Sequence, residues 1–285
     1  MPKTLTGRWW LAFVLPYTLF LAVFLAVPLA DILVLSVYRY SSSAIAIPDF
    51  TLRNFERLTN AYFGGLLLKT IKLAMLATAV CAVLGYPVAY YLARSSRRVM
   101  ALGLFLLVVP IMISTVVRVF GWVVILGKNG TLSQLLQAVG FAAGVDILYT
   151  ETAVMVGLVQ LFLPFMVLPV MASIERIPRR LEEAARNLGA NGWQVFRRTI
   201  FPMALPGFTS GCILVFSLTI SAYVTPSLMG GTAGRMIGLE IYDQVLVSYN
   251  WPQASAIAIV LILLTVLVIF AGLLATMRRR GAALR

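Results

Sequence analysis

Long apolar runs separated by short polar segments make up most of the chain. An apolar run of about twenty residues is long enough to cross a bilayer as a helix. The first run is far longer than the apolar core of a signal peptide, so we expect it to be retained as a span. The pattern predicts an all-α membrane protein with six transmembrane helices, over residues 9–38, 66–93, 100–126, 152–173, 203–228 and 254–277.

The polar segments between these runs divide the chain into three parts. We expect residues 1–65 to hold the first transmembrane helix and a periplasmic loop. Residues 66–277 then form the transmembrane core, and residues 278–285 form a basic cytoplasmic tail. In the last outer loop, apolar residues recur every four positions over residues 237–245, which predicts a short surface helix.

Composition and charge favour a membrane protein over a soluble domain. Hydrophobic residues make up 61% of the chain and charged residues 12%, about half the charged share of an average soluble protein. With both termini in the cytoplasm, 15 of the 23 basic residues and 3 of the 10 acidic residues fall on the cytoplasmic side. Because cytoplasmic loops carry an excess of Lys and Arg, this distribution predicts cytoplasmic termini. The net charge of +13 then reflects topology and contact with the lipid bilayer, and we expect no nucleic acid partner.

The residue types exclude several kinds of chemistry. The chain has no His, and Cys81 and Cys212 both lie in apolar runs, where a small buried side chain is their ordinary role. We therefore expect no metal site, no disulfide and no catalytic residues. No Gly-x-x-x-x-Gly-Lys-Ser/Thr motif occurs, so the chain lacks the usual loop for nucleotide phosphates. An ion-coupled secondary transporter is the alternative class, but the acids lie at span ends and in loops rather than deep in the bilayer.

A polar stretch over residues 181–202, which we call the elbow, lies between the fourth and fifth runs. Glu182 and Glu183 stand near its start, where the positive end of a helix dipole favours acids, and Gly189 ends this helix. A second amphipathic segment follows, and we expect Pro202 to break it before the fifth span. The small-residue face of the elbow is suited to a groove on another protein; an ordinary charged loop is the alternative.

The elbow resembles the EAA loop of binding-protein-dependent ABC import permeases. That pattern is Glu-Ala-Ala, three residues, Gly, nine residues, then Ile-x-Leu-Pro. Matching residues stand at Glu183, Ala184, Ala185, Gly189 and Pro202, whereas Thr and Phe occupy the positions of the usual Ile and Leu. The resemblance implies the type I ABC importer permease fold and a location in the bacterial inner membrane.

Further stretches resemble the spermidine/putrescine branch of these permeases. They lie at residues 84–93, 117–122, 163–169, 228–231 and 250–252. Related importers of iron, thiamine, sulfate, organophosphonates or opines share the fold. The resemblance implies a subunit that moves a small solute, a polyamine, from periplasm to cytoplasm, with those other solutes as alternatives.

The resemblance also implies an assembly. A sister permease completes the pore, two ABC ATPase subunits bind ATP and Mg²⁺, and a periplasmic solute-binding protein delivers the solute. The chain itself then needs no cofactor and is not an enzyme. The family's ATPase-coupling motif maps onto Glu183, Ala184, Ala185 and Gly189, and we predict rim contacts with the ATPase for Arg186 and Arg198.

Candidate residues for the solute path follow from side-chain chemistry. Arg118 is a charge within a span, which is costly and often functional; a structural or partner contact is the alternative. Trp122 and Tyr223 offer aromatic faces that attract cations. Glu240 and Asp243 lie in the last outer loop, where acids attract cations without the charge penalty of the bilayer centre. For these acids, contact with the binding protein or solvent is the alternative.

Overall fold

The computed structural model describes residues 9–42, 45–138 and 147–283 of the chain. Three of the basic residues counted on the cytoplasmic side, Lys3, Arg8 and Arg285, lie outside the described part.

The described chain is almost entirely helical, with one small hairpin. The two strands pair antiparallel, with Tyr38 opposite Phe50 and Arg39 opposite Ile47. A π-helical turn over Phe196–Ile200 joins two of the helices. The elements in chain order are α1 (Trp9–Ser36), β1 (Tyr38–Arg39), β2 (Ile47–Phe50), α2 (Arg53–Leu58), α3 (Ala61–Arg94), α4 (Arg97–Met112), α5 (Thr115–Leu126), α6 (Thr131–Ala138), α7 (Glu151–Glu175), α8 (Arg179–Asn187), α9 (Gly192–Val195), α10 (Phe201–Ile220), α11 (Val224–Met229), α12 (Ile237–Leu246) and α13 (Trp251–Ala283).

The helices account for the six predicted spans. Five uninterrupted helical stretches of the described chain are long and apolar enough to cross a membrane. The pair formed by α4 and the stretch Thr115–Ala138, bent by 99°, makes a sixth when it is taken as one span. The bend follows Pro110 at Ile113, which has extended backbone angles, and Ser114, whose backbone is not helical. Pro110 lacks the N–H that would donate to the Leu106 carbonyl oxygen, which weakens the last turns of α4 just before this break.

The centre of the bundle consists of α3, α7 and α10, which pack on one another. Gly207 of α10 lies so close to α7 that an added Cβ would overlap the Pro169 carbonyl oxygen. At Gly85 of α3 and Gly211 of α10, an added Cβ would overlap the side chain of Met166 from α7. Small residues at these positions let the helix backbones approach closely, which is how helices associate in a membrane. Outside this centre, α1 packs against α13.

The fifth span differs from its predicted limits of residues 203–228. Helical structure runs without a break from Gly192 to Ile220, so the expected break at Pro202 is wrong. The reason is the π-helical turn that precedes α10, because its hydrogen bonds are spaced more widely than those of an α-helix. Pro202 follows this turn and lies in the first turn of α10, where a missing N–H is tolerated. The span also ends early, at Ile220, and α11 follows as a separate helix.

The polar segments contain more structure than the sequence pattern predicted. The segment over residues 39–65 holds most of the hairpin, α2 and the start of α3, and the buried Asn54 ties them to α1 by donating to the Ser36 carbonyl oxygen at 2.8 Å. The predicted helix at residues 237–245 is confirmed as α12. It is a surface helix on one side alone, because its first turn, from Ile237 to Glu240, is buried.

The bundle has two distinct ends. The C-terminal end of α3, the start of α4, α8 and α9 lie together at what we call the elbow end. The start of α3, the start of α7 and α12 lie together at the far end. Every helix of the central trio therefore runs from one of these ends to the other.

Candidate functional site

The elbow is a sharp turn between two short helices. After α8, Gly189 adopts a φ of +85°, a left-handed conformation that glycine takes without strain, so the predicted end of the first helix is confirmed. Asn191 then caps α9: its side chain accepts a hydrogen bond from the Gln194 backbone, and the Gln194 side chain accepts one from the Asn191 backbone. This reciprocal capping box fixes the direction in which the chain re-enters the bundle.

One face of the elbow is open to its surroundings. Glu183, Ala184 and Arg186 are exposed on α8, and Arg198 is exposed on the π-helical turn. Two large apolar side chains beside them are also exposed, Leu188 at 89% and Trp193 at 66%. Large apolar side chains exposed in this way are typical of surfaces that contact another protein or the membrane. The predicted coupling residues are thus exposed, except Ala185, which is partly buried against the core.

The opposite face of α8 carries a buried acid that the sequence analysis did not select. Glu182 is 8% exposed, and its Oε1 accepts a hydrogen bond from Nε of Arg94 at 2.7 Å. The Tyr90 hydroxyl donates to Oε2 of the same carboxylate at 3.1 Å. Leaving either charge without its partner in such a buried ion pair typically costs about 3–5 kcal/mol. The contact therefore joins α8 firmly to the end of α3.

The pairing of Glu182 with Arg94 could have been predicted from the sequence. Glu182 and Ala185 are three positions apart, so they share one face of α8, while Glu183 and Ala184 lie on the other faces. An acid on the inner face of a short helix requires a cation, and the basic turn after α3 offers Arg94. The exposed Glu183 of the motif and the buried Glu182 beside it thus have different surroundings.

The first group of predicted path residues lies on α5. Arg118 is partly buried; one of its guanidinium nitrogens donates to Thr115 at 3.4 Å, and Nη1 is buried without a hydrogen-bond partner among the described residues. One turn further along, the Trp122 indole N–H donates to Oε1 of Gln160 on α7 at 3.4 Å. Trp122 therefore contacts α7, whereas the hydrogen bond of Arg118 lies within α5 itself.

The second group lies at the far end, around α12. Glu240 is 4% exposed, and its carboxylate accepts hydrogen bonds from Arg235 at 2.9 Å, from Gln244 at 2.9 Å and from Tyr62 at 3.0 Å. Asp243 also pairs with Arg235. Burial alone would raise the pKa of Glu240, but its hydrogen bonds from Gln244, Arg235 and Tyr62 lower that pKa below the ordinary value. Both acids are thus engaged by Arg235, which the sequence analysis did not select.

The predicted aromatic residue of this group has an aromatic neighbour. The rings of Tyr223 and Tyr242 stack with their centroids 5.2 Å apart and their planes inclined by 16°. Both side chains are exposed, at 44% and 41%. The stacked pair, one ring of which belongs to α12, presents an accessible aromatic surface, and aromatic faces attract organic cations.

A further polar cluster lies near the far end of α3. Glu151, the first residue of α7, pairs with Lys69 at 3.5 Å and with Lys72 at 3.1 Å. Charged side chains within a span are costly against lipid and usually face protein or water. Here the two lysines of α3 are paired with the acid at the start of α7, so the cluster also joins these two helices. Among the described residues, no group of His, Cys, Asp and Glu has a metal-binding arrangement.

The helical arrangement defines the class of protein. A chain of the solved bacterial alginate ABC transporter, determined in complex with an alginate pentasaccharide-bound periplasmic protein, superposes with a TM-score of 0.76 at 18% identity, covering 93% of each chain. The fold is therefore that of a type I ABC importer permease, as the elbow predicted.

Sequence relatives identify the family. Residues 82–280 match the family model described as binding-protein-dependent transport system inner membrane component. The chain is 38% identical to the spermidine/putrescine transport system permease protein PotB of Haemophilus influenzae over 84% of this chain and 85% of that protein. It is 39% identical to the PotB protein of Escherichia coli, over 74% and 78%. The chain belongs to this family: it is an inner-membrane permease subunit of an ABC transporter.

Family membership decides between the classes that composition left open. The chain is a transport subunit, and the ion-coupled secondary transporter is excluded as its class. The six-span architecture and the inner-membrane location are confirmed. The position of the termini relative to the membrane stays a prediction.

Proposed function

We propose that this chain is a permease subunit of an ABC importer that carries polyamines from the periplasm to the cytoplasm, with ATP hydrolysis by partner ATPase subunits. One observation carries the coupling part of the proposal: the EAA residues lie on an exposed elbow whose large side chains, Leu188 and Trp193, are open to another protein. The solute is supported by the identity of 38–39% to spermidine/putrescine permeases.

The proposed role of the elbow is to receive the movement of an ATPase subunit. Glu183, Ala184 and Arg186 contact the ATPase with the exposed side of α8, and Ala185 keeps that helix close to the core. The left-handed Gly189 directs the chain into α9, and Arg198 lies at the rim of the contact. ATP and Mg²⁺ bind to the ATPase, so this chain needs no cofactor of its own.

The elbow end faces the cytoplasm in this proposal, and the far end faces the periplasm. Most basic residues then lie on the cytoplasmic side, as the positive-inside rule requires. A periplasmic binding protein delivers solute at the far end, and a sister permease covers the polar face of α3 that holds Lys69, Lys72 and Glu151. The stacked Tyr223 and Tyr242 are the proposed cation-binding surface.

An anionic solute is the second candidate, because Arg118 has a buried guanidinium nitrogen without a partner among the described residues. The acids that would attract a cation, Glu240 and Asp243, are also neutralised in part by Arg235. In this case Arg118 contacts the solute directly.

Reconstituted vesicles that contain the chain, its sister permease, the ATPase and the binding protein separate the two solutes. Spermidine and putrescine should stimulate ATP hydrolysis, and the Tyr223→Ala variant should lose a contact worth ~0.5–2 kcal/mol, a cation over an aromatic face. Stimulation by an organophosphonate instead of the polyamines would refute the polyamine assignment. Arg118→Gln should then abolish the stimulation, whereas under the polyamine assignment it leaves recognition of the cation in place.

A further inference from the structure

The end of α3 is attached to α8 by a compact set of polar contacts. Arg94 is the last residue of α3, and its guanidinium group contacts the Glu182 carboxylate through both Nε, at 2.7 Å, and Nη2, at 2.5 Å. The side chains are 14% and 11% exposed, so water screens the pair weakly. The ion pair is therefore short and largely shielded, unlike an ordinary surface ion pair.

Three further hydrogen bonds support this pair. Nη2 of Arg94 donates to the Ile177 carbonyl oxygen at 3.1 Å, and Arg179 donates to the Arg94 carbonyl oxygen at 2.7 Å. The Tyr90 hydroxyl, one turn earlier on α3, donates to the second oxygen of Glu182. The contacts thus reach the link between α7 and α8 as well as α8 itself. We call this set of residues the clamp.

The clamp connects α8 to the trio at the centre of the bundle through α3, in addition to the short link from α7. The backbone of α8 packs against α9 and the π-helical turn, whereas α3 packs against α7 and α10. Ion pairs and hydrogen bonds are directional, so the clamp sets the angle between α8 and α3 as well as their distance. Apolar packing by Ala185 alone would allow α8 to rotate against the core.

Because α3 is long, a movement of its clamped end also moves its contacts at the other end of the bundle. A helix of 34 residues is about 50 Å long. At its far end, Tyr62 donates to Glu240 of α12, and Lys69 and Lys72 pair with Glu151 of α7. A displacement of α8 that moves α3 with it therefore reaches these polar contacts at the far end of the bundle.

We infer that the Arg94–Glu182 pair, supported by Tyr90, is a positioning device that makes α8 and α3 move as one body. Through it, a movement imposed on α8 is transmitted along α3 to the far end. This inference rests on the proposed function, in which the exposed face of α8 contacts an ATPase subunit. Arg94, Glu182 and Tyr90 contact neither ATP nor solute in this mechanism; they act through the helices that they join.

The first test measures coupling in the reconstituted assembly, as solute transported per ATP hydrolysed. Arg94→Ala and Glu182→Gln should lower this ratio roughly 5- to 150-fold, the range of a typical coupling free energy. ATPase copurification should stay unchanged, because the exposed face of α8 is intact. The double exchange Arg94→Glu with Glu182→Arg restores opposite charges and should recover most of the ratio.

Matched controls remove charges of the same type nearby. Arg97→Ala and Glu175→Gln alter exposed residues near the same turn and at the end of α7, and both should keep the wild-type ratio. Coupling ratios for Arg94→Ala and Glu182→Gln equal to those of the controls would overturn the inference.

A cross-linking experiment separates transmission from mere stability of the fold. Cysteines at positions 94 and 182, in a background without Cys81 and Cys212, remove the ion pair and should show the low ratio. Joining them with a short bis-methanethiosulfonate reagent replaces the clamp by a covalent tie and should restore the ratio. A cross-linked protein that stays uncoupled, or that loses its remaining transport, would show that α8 and α3 must move apart and would overturn the inference.

A separate variant tests whether the exposed face of α8 contacts the ATPase at all. Glu183→Arg places a charge of opposite sign on the exposed face of α8 and leaves the clamp intact. Full ATPase copurification with Glu183→Arg would refute the docking surface itself. Loss of coupling with unchanged copurification, in the clamp variants alone, is the result that supports the inference.

Discussion

Replacement of Gly189 tests whether the left-handed turn between α8 and α9 sets the direction of the elbow. Its φ of +85° lies in a region that residues with a Cβ rarely adopt, and a Cβ added there meets no other atom within 4 Å. The effect of a side chain at this position is therefore backbone strain and not steric overlap inside the subunit. Ala, Asn and Asp at position 189 separate the possible causes.

The expected magnitudes follow from this geometry. A left-handed backbone costs an ordinary residue about 1–2 kcal/mol, which is a roughly 5- to 30-fold change in a local equilibrium. Gly189→Ala should therefore lower transport by up to that factor. Gly189→Asn should be milder, because Asn visits this region more readily. Gly189→Asp shares that tolerance but adds a charge to the surface proposed to contact the ATPase, so it should abolish transport and weaken ATPase copurification.

The assay is uptake by whole cells, corrected for the amount of the subunit in the membrane, together with copurification of the ATPase in mild detergent. All three variants should insert at normal abundance, because Gly189 lies outside the spans. Normal uptake by Gly189→Asp at normal abundance would refute the coupling role. Equal losses for Ala and Asn would refute the argument from backbone strain.

Two other predictions concern packing and orientation. Gly207→Ala, whose added Cβ overlaps the Pro169 oxygen, should lower the melting temperature in detergent, with a loss of about 1–3 kcal/mol from overpacking. Gly121→Ala is the matched control, because a Cβ added there meets open space. Replacing Gly by Ala within a helix gains about 0.5–1 kcal/mol, so this variant should keep or raise the melting temperature. Equal shifts of the melting temperature in the two variants would contradict this account. A reporter active only in the periplasm should be silent after Arg285 and active near Thr232, since basic residues accumulate on the cytoplasmic side. The reverse pattern would place the elbow where no ATPase reaches it.

The sequence predicted most of the architecture because bilayer physics leaves few choices. A long apolar run must satisfy its backbone hydrogen bonds internally, so each run becomes a helix, and their number follows from the pattern alone. The helix end at Gly189 was also predictable, because the residue type itself permits the left-handed turn. The short helix α12 followed from apolar residues at helical spacing.

The sequence was a poorer guide where a residue's effect depends on its neighbours. Pro202 usually breaks a helix, yet the π-helical turn before it lets the helix continue into the fifth span. The acids Glu240 and Asp243 appeared available to a cation, whereas Arg235 engages both. In both cases a rule about one residue type was overridden by hydrogen bonding that depends on the surrounding chain.

The sequence by itself determined the membrane class, the helices and the exposed motif at Glu183, because these depend on local composition and spacing. Only the tertiary structure decided which charges meet. Arg94 and Glu182 are 88 positions apart in the chain, and their 2.7 Å contact exists because α3 and α7 pack together and bring the two ends to one place. Local patterns specify helices, but the pairing of distant side chains depends on how the helices pack, and it is the pairing that joins the elbow to the bundle.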